Sequence, residues 1–430
     1  MDYYLDLLLI PIQIIIFIYT IYLLILMFVG LWKHKEVKIY APKNRFAIII
    51  CAHNEACVIA SLIDNLKLQE YPKELFDIFV VADNCTDNTK LVAEQAGAIV
   101  YERTDARAKG KGYAMGWMFD RLLSMDTNYD AFCIFDADNL VHPKFLQEMN
   151  WHLEKGEHII QGYLNAKNPV DTWISGCFSI AFWMVNHMVH LAKYRLGLST
   201  ALGGTGMCFR ADIVRKYGWG CTSLTEDMEY SMKMLTRGIR TCWAHDAIIY
   251  DEKVLTFVQS WNQRLRWAQG QFDCAGRYIP QLFIAGIRQR NIKILDGIMQ
   301  VSGPYFMMLS TIMLLLSLVN TYVAPIYTSL WQQILPMSVL SFIGIAQYVV
   351  PLLILLQIKV PFKIYLYYLI YPIFVYSWMI INILGFFSRH KTEWQHTKHI
   401  RAVSMSDIKL TRMNDVRNKQ NIMSRYHVNT

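Results

Sequence analysis

Gln263-Arg264-Leu265-Arg266-Trp267 could do chemistry together if the chain around them is helical. Gln263, Arg266 and Trp267 would stand at i, i+3 and i+4 on one face, while Arg264 and Leu265 point elsewhere. An amide, a fixed cation and a large flat ring suit a sugar diphosphate. The ring stacks on a pyranose, the guanidinium meets phosphate charge and the amide takes a hydroxyl. The bland alternative is an amphipathic helix that carries an Arg and a Trp by chance. Upstream lies the acidic pair Glu226-Asp227. A base that deprotonates a hydroxyl should be a carboxylate near a helix or metal that holds it ionised. Thr225 is placed to cap a helix with both acids in its first turn.

Earlier in the chain, Asp136-Ala137-Asp138 follows an apolar run. Two carboxylates at i and i+2 can share Mg²⁺ or Mn²⁺, hard cations bound through one or two carboxylates plus substrate phosphates. A solvated turn is the ordinary alternative. Asp83 closes another apolar run and is placed to accept from a nucleoside, while Asp87 suits a helix N-cap. Asn54-Glu55 has the same double reading after the first run. Lys109-Gly110-Lys111-Gly112 lets backbone approach a phosphate, with Lys111 reaching its charge, but it lacks the Walker A spacing.

These residues need elements to hold them. Phe46–Cys51, Asp77–Ala82, Ala98–Tyr101 and Ala131–Phe135 read as strands, and Ala56–Leu68, Thr89–Ala96 and Tyr113–Leu123 as helices. The alternation predicts a parallel sheet with crossover helices and ligands at the carboxyl ends of its strands. Asn54, Asp83 and Asp136 all lie just past such ends.

Apolar content of 54% and aromatic content of 13% are high for a soluble protein and point to a membrane protein with a sizeable soluble part. Leu7–Trp32 is long enough to cross a hydrocarbon core of ~30 Å at ~1.5 Å per residue. Lys33, His34, Lys35 and Lys38 follow it, which places the N-terminus outside and the next domain in the cytosol. The expected organisation is an N-terminal transmembrane helix (1–38), a cytosolic α/β domain with interfacial helices (39–285), a C-terminal transmembrane block (286–388) and a basic cytosolic tail (389–430). Trp173–Leu196, broken by Asn186, His187, His190, Lys193 and Arg195, reads as an interfacial amphipathic helix. Three hydrophobic blocks follow: Ile298–Val323, Leu335–Ile358 and Tyr365–Phe387. A cytosolic tail requires that one of them not fully span, with Pro304, Pro351 and Pro372 as candidate breaks. Nine scattered Cys without a CxxC pair suggest reduced thiols rather than zinc or disulfides. The net charge of +8 is concentrated in the tail, which suits anionic lipid better than nucleic acid.

The order Asn-Glu, Asp, Gly-Lys-Gly, DxD, Glu-Asp and QxxRW, all ahead of a membrane block, resembles the inverting family 2 glycosyltransferases. Within them the chain is similar to the membrane-embedded processive synthases of cellulose, hyaluronan, poly-N-acetylglucosamine and β-glucan. The resemblance implies a GT-A (Rossmann-like) α/β fold combined with transmembrane helices, and a UDP-sugar donor. It implies Asp227 as catalytic base, and Asn54, Glu55, Asp83, Lys111, Asp136 and Asp138 at the donor. Asp136 and Asp138 would hold Mg²⁺ or Mn²⁺. Gly204 and Thr205, in the loop Leu202–Gly206, would join Glu226, Gln263, Arg266 and Trp267 at the acceptor or product. The implied partners are the UDP-sugar, a growing polysaccharide and the bilayer, with UDP-glucose the favoured donor. Poly-N-acetylglucosamine and hyaluronan-type products stay open, as does single transfer to a lipid, since lipid glycosyltransferases carry a similar (Q/R)xxRW. A transporter without catalysis would leave the carboxylate series unexplained. Cys51-Ala52-His53 stands where many relatives have Pro before Asn-Glu, and Ala82-Asp83 where a doubled Asp is common. Trp394–His399 loosely resembles a gating segment of cellulose synthases.

Overall fold

The computed structural model describes residues 2–32, 36, 38, 41–327 and 329–390. Lys33, His34, Lys35, Trp394–His399 and nearly all of the basic tail lie outside the described residues. In chain order the elements are α1 (Asp2–Gly30), β1 (Phe46–Ala52), α2 (Ile59–Leu66), β2 (Phe76–Asp83), α3 (Thr89–Gln95), β3 (Ile99–Arg103), α4 (Lys111–Leu123), β4 (Ala131–Asp136), β5 (Leu140–Val141), α5 (Phe145–Glu154) and β6 (Ile159–Ala166). Next come α6 (Trp173–Met184), a π-helical turn (Val185–Leu191), α7 (Ala192–Arg195), β7 (Met207–Arg210), α8 (Ala211–Tyr217), α9 (Glu226–Leu235), β8 (Thr241–Asp251) and α10 (Phe257–Arg288). The chain continues through α11 (Ile292–Val301), α12 (Gly303–Tyr322), α13 (Leu330–Ile334), α14 (Met337–Ile358) and α15 (Phe362–Ser388).

Eight strands form one sheet in the order β3-β2-β1-β4-β7-β6-β8-β5. Its first four strands are parallel. β7 runs antiparallel to β4 and β6, and β5 to β8, so the sheet is mixed rather than wholly parallel. Helices cover both faces of β1, β2 and β4, which is why these strands read as unbroken apolar runs. Ile48 and Ile50 pack with Leu62 and Ile63 of α2 and with Leu146 of α5, while Ala47 and Ile49 pack with Met115 and Phe119 of α4. The register sets Ala52 beside Ala82, Cys51 beside Asp136 and Asp83 beside Arg103. Three polar strand ends therefore finish side by side.

Among the described residues five helical stretches are long and apolar enough to cross a membrane: Leu5–Gly30, Trp173–Arg195, α12, α14 and α15. Trp173–Arg195 is by far the most enclosed, 72% buried inside the protein against at most 28% for the others. Trp183 Nε1 donates to Asn165 Oδ1 at 2.8 Å and Asn186 Nδ2 to Leu164 O at 2.8 Å, tying it to the sheet. Lys193 Nζ bonds Asp296 Oδ2 at 2.8 Å on α11. Trp183, Asn186 and Lys193 are thus satisfied by the protein itself, while the His190 ring stacks on Trp243 with centroids 4.7 Å apart and its buried Nδ1 makes no hydrogen bond among the described residues. Ile298–Val323 is not one helix, because α11 ends at Val301 and α12 restarts at Gly303 with Pro304 in its first turn. Pro351 and Pro372, the other two candidate breaks, lie inside α14 and α15, which run on through them.

Candidate active site

A cleft of about 1010 Å³ opens over the carboxyl ends of β1, β2 and β4. Glu55, Asp83, Lys111, Asp136, Asp138, Gly204, Thr205, Glu226, Asp227, Gln263, Arg266 and Trp267 all line it. Asn54 is not part of that lining. It sits at φ 57° and its Oδ1 accepts from Thr86 N at 2.7 Å, so it shapes the turn that joins two strand ends instead of facing the cleft. Asp87 Oδ1 accepts from Thr89 N at 3.0 Å, so it serves the start of α3 although Asn88 holds the N-cap position.

Asp83 is fixed by Arg103, whose Nη1 donates to Oδ1 at 2.5 Å with both side chains under a tenth exposed. Arg103 closes the neighbouring strand β3, and only the β2–β3 register brings it there. Lys111 is the first residue of α4, entered through Gly110 at φ 112°. Its Nζ donates to Asp136 Oδ1 and, at 2.6 Å, to Gly204 O. Burial works against the Lys111 charge, but Asp136 and Glu226 outweigh it and hold the ammonium above its ordinary pKa. Behind these groups Asn139 Nδ2 reaches Asp138 Oδ1 and Asp251 Oδ1, both at 3.2 Å. Lys253 Nζ bonds Asp251 Oδ2 at 2.7 Å.

Glu226 and Asp227 occupy the first turn of α9, where backbone N–H groups favour negative charge. Thr225 holds the N-cap position, but its side chain makes no capping bond; Oγ1 is turned to Cys274 Sγ at 3.6 Å. Met228 N donates to Asp227 Oδ1 at 2.7 Å. Burial nonetheless pushes both carboxyls above their ordinary pKa. The Asp227 charge adds to the rise at Glu226, and Lys111 opposes it at both. Two glycines let helices close on this pair. A Cβ at Gly112 would lie 3.2 Å from Glu226 Cβ, and one at Gly270 only 2.7 Å from Thr225 Oγ1.

α10 begins with a capping box between Thr256 and Gln259 and presents Gln263, Arg266 and Trp267 to the cleft together. Burial lowers the Arg266 pKa, while Glu226 and Asp136 act to raise it. Trp267 meets Phe178 and Phe182 of α6 edge-on, with centroids 6.0 and 6.2 Å apart. Phe374 and Trp378 of α15 complete the wall at this end. The cleft therefore runs from the sheet to a helix long and apolar enough to cross a membrane. Sequence reading missed Arg103, Asn139, Asp251, Glu252, Lys253 and the aromatic wall. Asp251-Glu252 carried the one usable signal, an acidic pair at the end of a strand.

Among the described residues no group of three or more His, Cys, Asp or Glu suits a metal. Asp136, its side chain 40% exposed, and Asp138 offer carboxylate oxygens to an open cleft. That donor set fits a hard cation completed by substrate phosphate and water, as Mg²⁺ or Mn²⁺ would be, and not a protein-caged zinc.

Residues 42–270, more than half of the chain, match the family model described as glycosyltransferase like family 2. The chain is 25% identical over 248 residues to "Probable glycosyltransferase YdaM" of Bacillus subtilis, covering 56% of this chain and 58% of that protein. It is 25% identical over 252 residues to a beta-monoglucosyldiacylglycerol synthase of Nostoc, covering 56% and 52%. The chain thus spans little more than half the length of these relatives. In structure it is similar to the mannosyltransferase PcManGT of Pyrobaculum calidifontis, solved in complex with GDP-Man and Mn²⁺. That likeness has a TM-score of 0.55 at 16% identity, covers 90% of this chain and 100% of the other, and is one of fold.

Proposed function

The chain belongs to the glycosyltransferase like family 2, and on that premise we propose that it is an inverting hexosyltransferase that moves a sugar from a UDP-sugar to an acceptor hydroxyl entering from the membrane side. One observation carries the reading. A single cleft holds Asp83, Lys111, Asp136, Asp138, Asp227 and the Gln263–Arg266–Trp267 face, and it ends on Phe374 and Trp378 of a membrane-length helix. Positive charge just after α1 argues for a cytosolic catalytic domain.

Asp83 accepts from the nucleoside, held in place by Arg103. Asp227 takes the acceptor proton as the acceptor oxygen attacks the anomeric carbon. The bond from that carbon to the diphosphate breaks, and its electron pair leaves on the diphosphate oxygen. Attack from the face opposite the leaving group inverts the centre. Lys111 and Arg266 meet the charge that develops on the diphosphate. A divalent cation held by Asp136 and Asp138 supplies Lewis-acid stabilisation of that diphosphate when bound. A carboxylate raised by burial is a better base near neutral pH than a solvated one.

For the acceptor, the first reading is a growing β-linked polysaccharide, glucose-based, retained between additions and extruded as it grows. Trp267, Phe178, Phe182, Phe374 and Trp378 offer it aromatic surface. A membrane lipid is the second reading, and one observation favours it. Of α1, α12, α14 and α15, only α15 contributes to the cleft lining among the described residues. An acceptor slipping in beside one helix suits a lipid better than a strand threaded through a bundle.

Purified protein in proteoliposomes, given UDP-glucose with Mn²⁺, should release UDP, and Asp227→Asn should lower that release about 10²–10⁴-fold. Near-wild-type turnover would remove Asp227 as the base. Sizing the product separates a polymer ladder from a single glycolipid.

A further inference from the structure

Arg264 belongs to the motif but not to the cleft lining, and it is fully buried, 0% exposed. Its guanidinium sits where α10 crosses α15. Nη1 donates to Phe374 O at 3.2 Å and to Ser377 Oγ at 2.7 Å, and Nε to Ser260 O of its own helix at 3.3 Å. Ser377 Oγ in turn donates to Phe374 O at 2.6 Å. The guanidinium carbon lies 4.2 Å from the Phe374 ring centroid and 5.3 Å from that of Trp378. Burial lowers its pKa to about 10, which leaves it charged at neutral pH.

A buried cation without a carboxylate partner among the described residues is an expensive way to seal two helices, since an apolar side chain of similar length would serve. What the guanidinium adds is direction. Its Nη1 holds one turn of α15 through two acceptors, Phe374 O and Ser377 Oγ, while Nε ties the guanidinium to α10 and Nη2 makes no hydrogen bond among the described residues. That turn carries Phe374 and Trp378, one helical turn apart, and both line the membrane end of the cleft. On the same stretch of α10, Gln263, Arg266 and Trp267 line the cleft from the other side. Close helix contact continues below, where a Cβ at Gly385 would lie 2.7 Å from Ala268 Cβ and where Gln269 Nε2 donates to Ser388 Oγ at 2.8 Å.

We propose that Arg264 is a positioning residue that locks the α15 wall, Phe374 and Trp378, in register with Arg266 and Trp267 and so sets where the acceptor hydroxyl lies. The inference rests on the reading of the cleft as a glycosyl-transfer site.

The test uses full-length protein in proteoliposomes of bacterial lipid extract with UDP-[¹⁴C]glucose and Mn²⁺. It reads UDP affinity, total UDP released, and the share of label in lipid or polymer against free glucose. Arg264→Met should keep UDP affinity within about twofold while transfer to acceptor falls roughly tenfold or more, with label shifting to free glucose. Arg264→Lys should restore part of the transfer, because an ammonium can still donate to Phe374 O and Ser377 Oγ but lacks the Nε bond to Ser260 O that aims the guanidinium. Ser377→Ala should act in the same direction and more weakly. If Arg264→Met does not fold, Arg264→Lys and Ser377→Ala decide by the same shift in label. An unchanged partition in folded variants, or an equal loss of UDP affinity and transfer, overturns the positioning role. Wild-type protein that neither binds UDP nor releases it from any UDP-sugar sinks the transfer reading itself, a result distinct from either.

Discussion

Replacing Gly270 by alanine should damage turnover more than stability. Gly270 lies one helical turn beyond Arg266 on α10, against the N-terminus of α9. A Cβ there would lie 2.7 Å from Thr225 Cγ2 and Oγ1 and 2.9 Å from Thr225 N, where ordinary contact begins near 3.4 Å. The junction must therefore open by about 0.7 Å. The threonine side chain can rotate away, but its backbone nitrogen moves only with Glu226 and Asp227. Overpacking costs about 1–3 kcal/mol, and the alanine returns about 0.5–1 kcal/mol of helix propensity. Net destabilisation of about 0–2.5 kcal/mol should lower Tm by no more than about 10 °C, at roughly 2–4 °C per kcal/mol. Displacing the base from the Arg266–Trp267 face by about 0.5–0.7 Å should lower kcat/KM roughly tenfold or more. Gly276→Ala is the control: it lies on the same helix with nothing within 4 Å of its Cβ, and should gain about 0.5–1 kcal/mol with turnover unchanged. The assay is UDP release from UDP-glucose in proteoliposomes, with thermal unfolding followed by tryptophan fluorescence. If Gly270→Ala keeps kcat/KM within about twofold of wild type, the α9–α10 contact does not set the site.

Burial raises the Glu226 carboxyl to about 7 and that of Asp227 to about 6, and a base works only when ionised. The log of kcat/KM should therefore be level above this range and fall as pH drops through it; a profile still level one unit below about 6 contradicts the assignment. Chelation with EDTA should abolish UDP release, and Mg²⁺ or Mn²⁺ should restore it to wild type but not to Asp138→Asn; full activity in EDTA argues against a metal at the DxD pair. Arg103→Met frees Asp83 from its 2.5 Å partner and should raise KM for the UDP-sugar roughly tenfold with kcat nearly kept, and an unchanged KM would show that Asp83 needs no such support.

β1, β2 and β4 were legible because a strand buried on both faces leaves an unbroken apolar run, and each run ends in a polar group that the sheet aligns. β7 and β5 were not, being four and two residues long and set antiparallel by partners far away in sequence. The spacing in Gln263–Trp267 correctly grouped three side chains on one face. What that helix packs against was beyond reach of spacing, because Arg264 meets Ser377 113 residues later. Asn139 meets Asp251 across 112 residues, and that link exists only because β5 pairs with β8. Asn54 falls outside the cleft lining for a local reason: at φ 57° its Oδ1 is bonded to Thr86 in the next turn. The break between α11 and α12 was legible through Pro304, which lies in the first turn of α12, although not its place at Ser302.

The balance of charge in the cleft bears on how the donor is admitted. Eight carboxylates line it (Glu55, Asp83, Asp136, Asp138, Glu226, Asp227, Asp251 and Glu252) against four cations, Arg107, Lys109, Lys111 and Arg266. Arg103 and Lys253 offset two of the acids from behind. A diphosphate brings more negative charge into a pocket that is already acidic, and Lys111 is spoken for by Asp136 and Gly204 O. Donor and divalent cation should therefore enter as a unit, since the cation relieves the Asp136–Asp138 pair and the diphosphate together. Lys111 can then turn from Asp136 to phosphate without leaving the carboxylate bare.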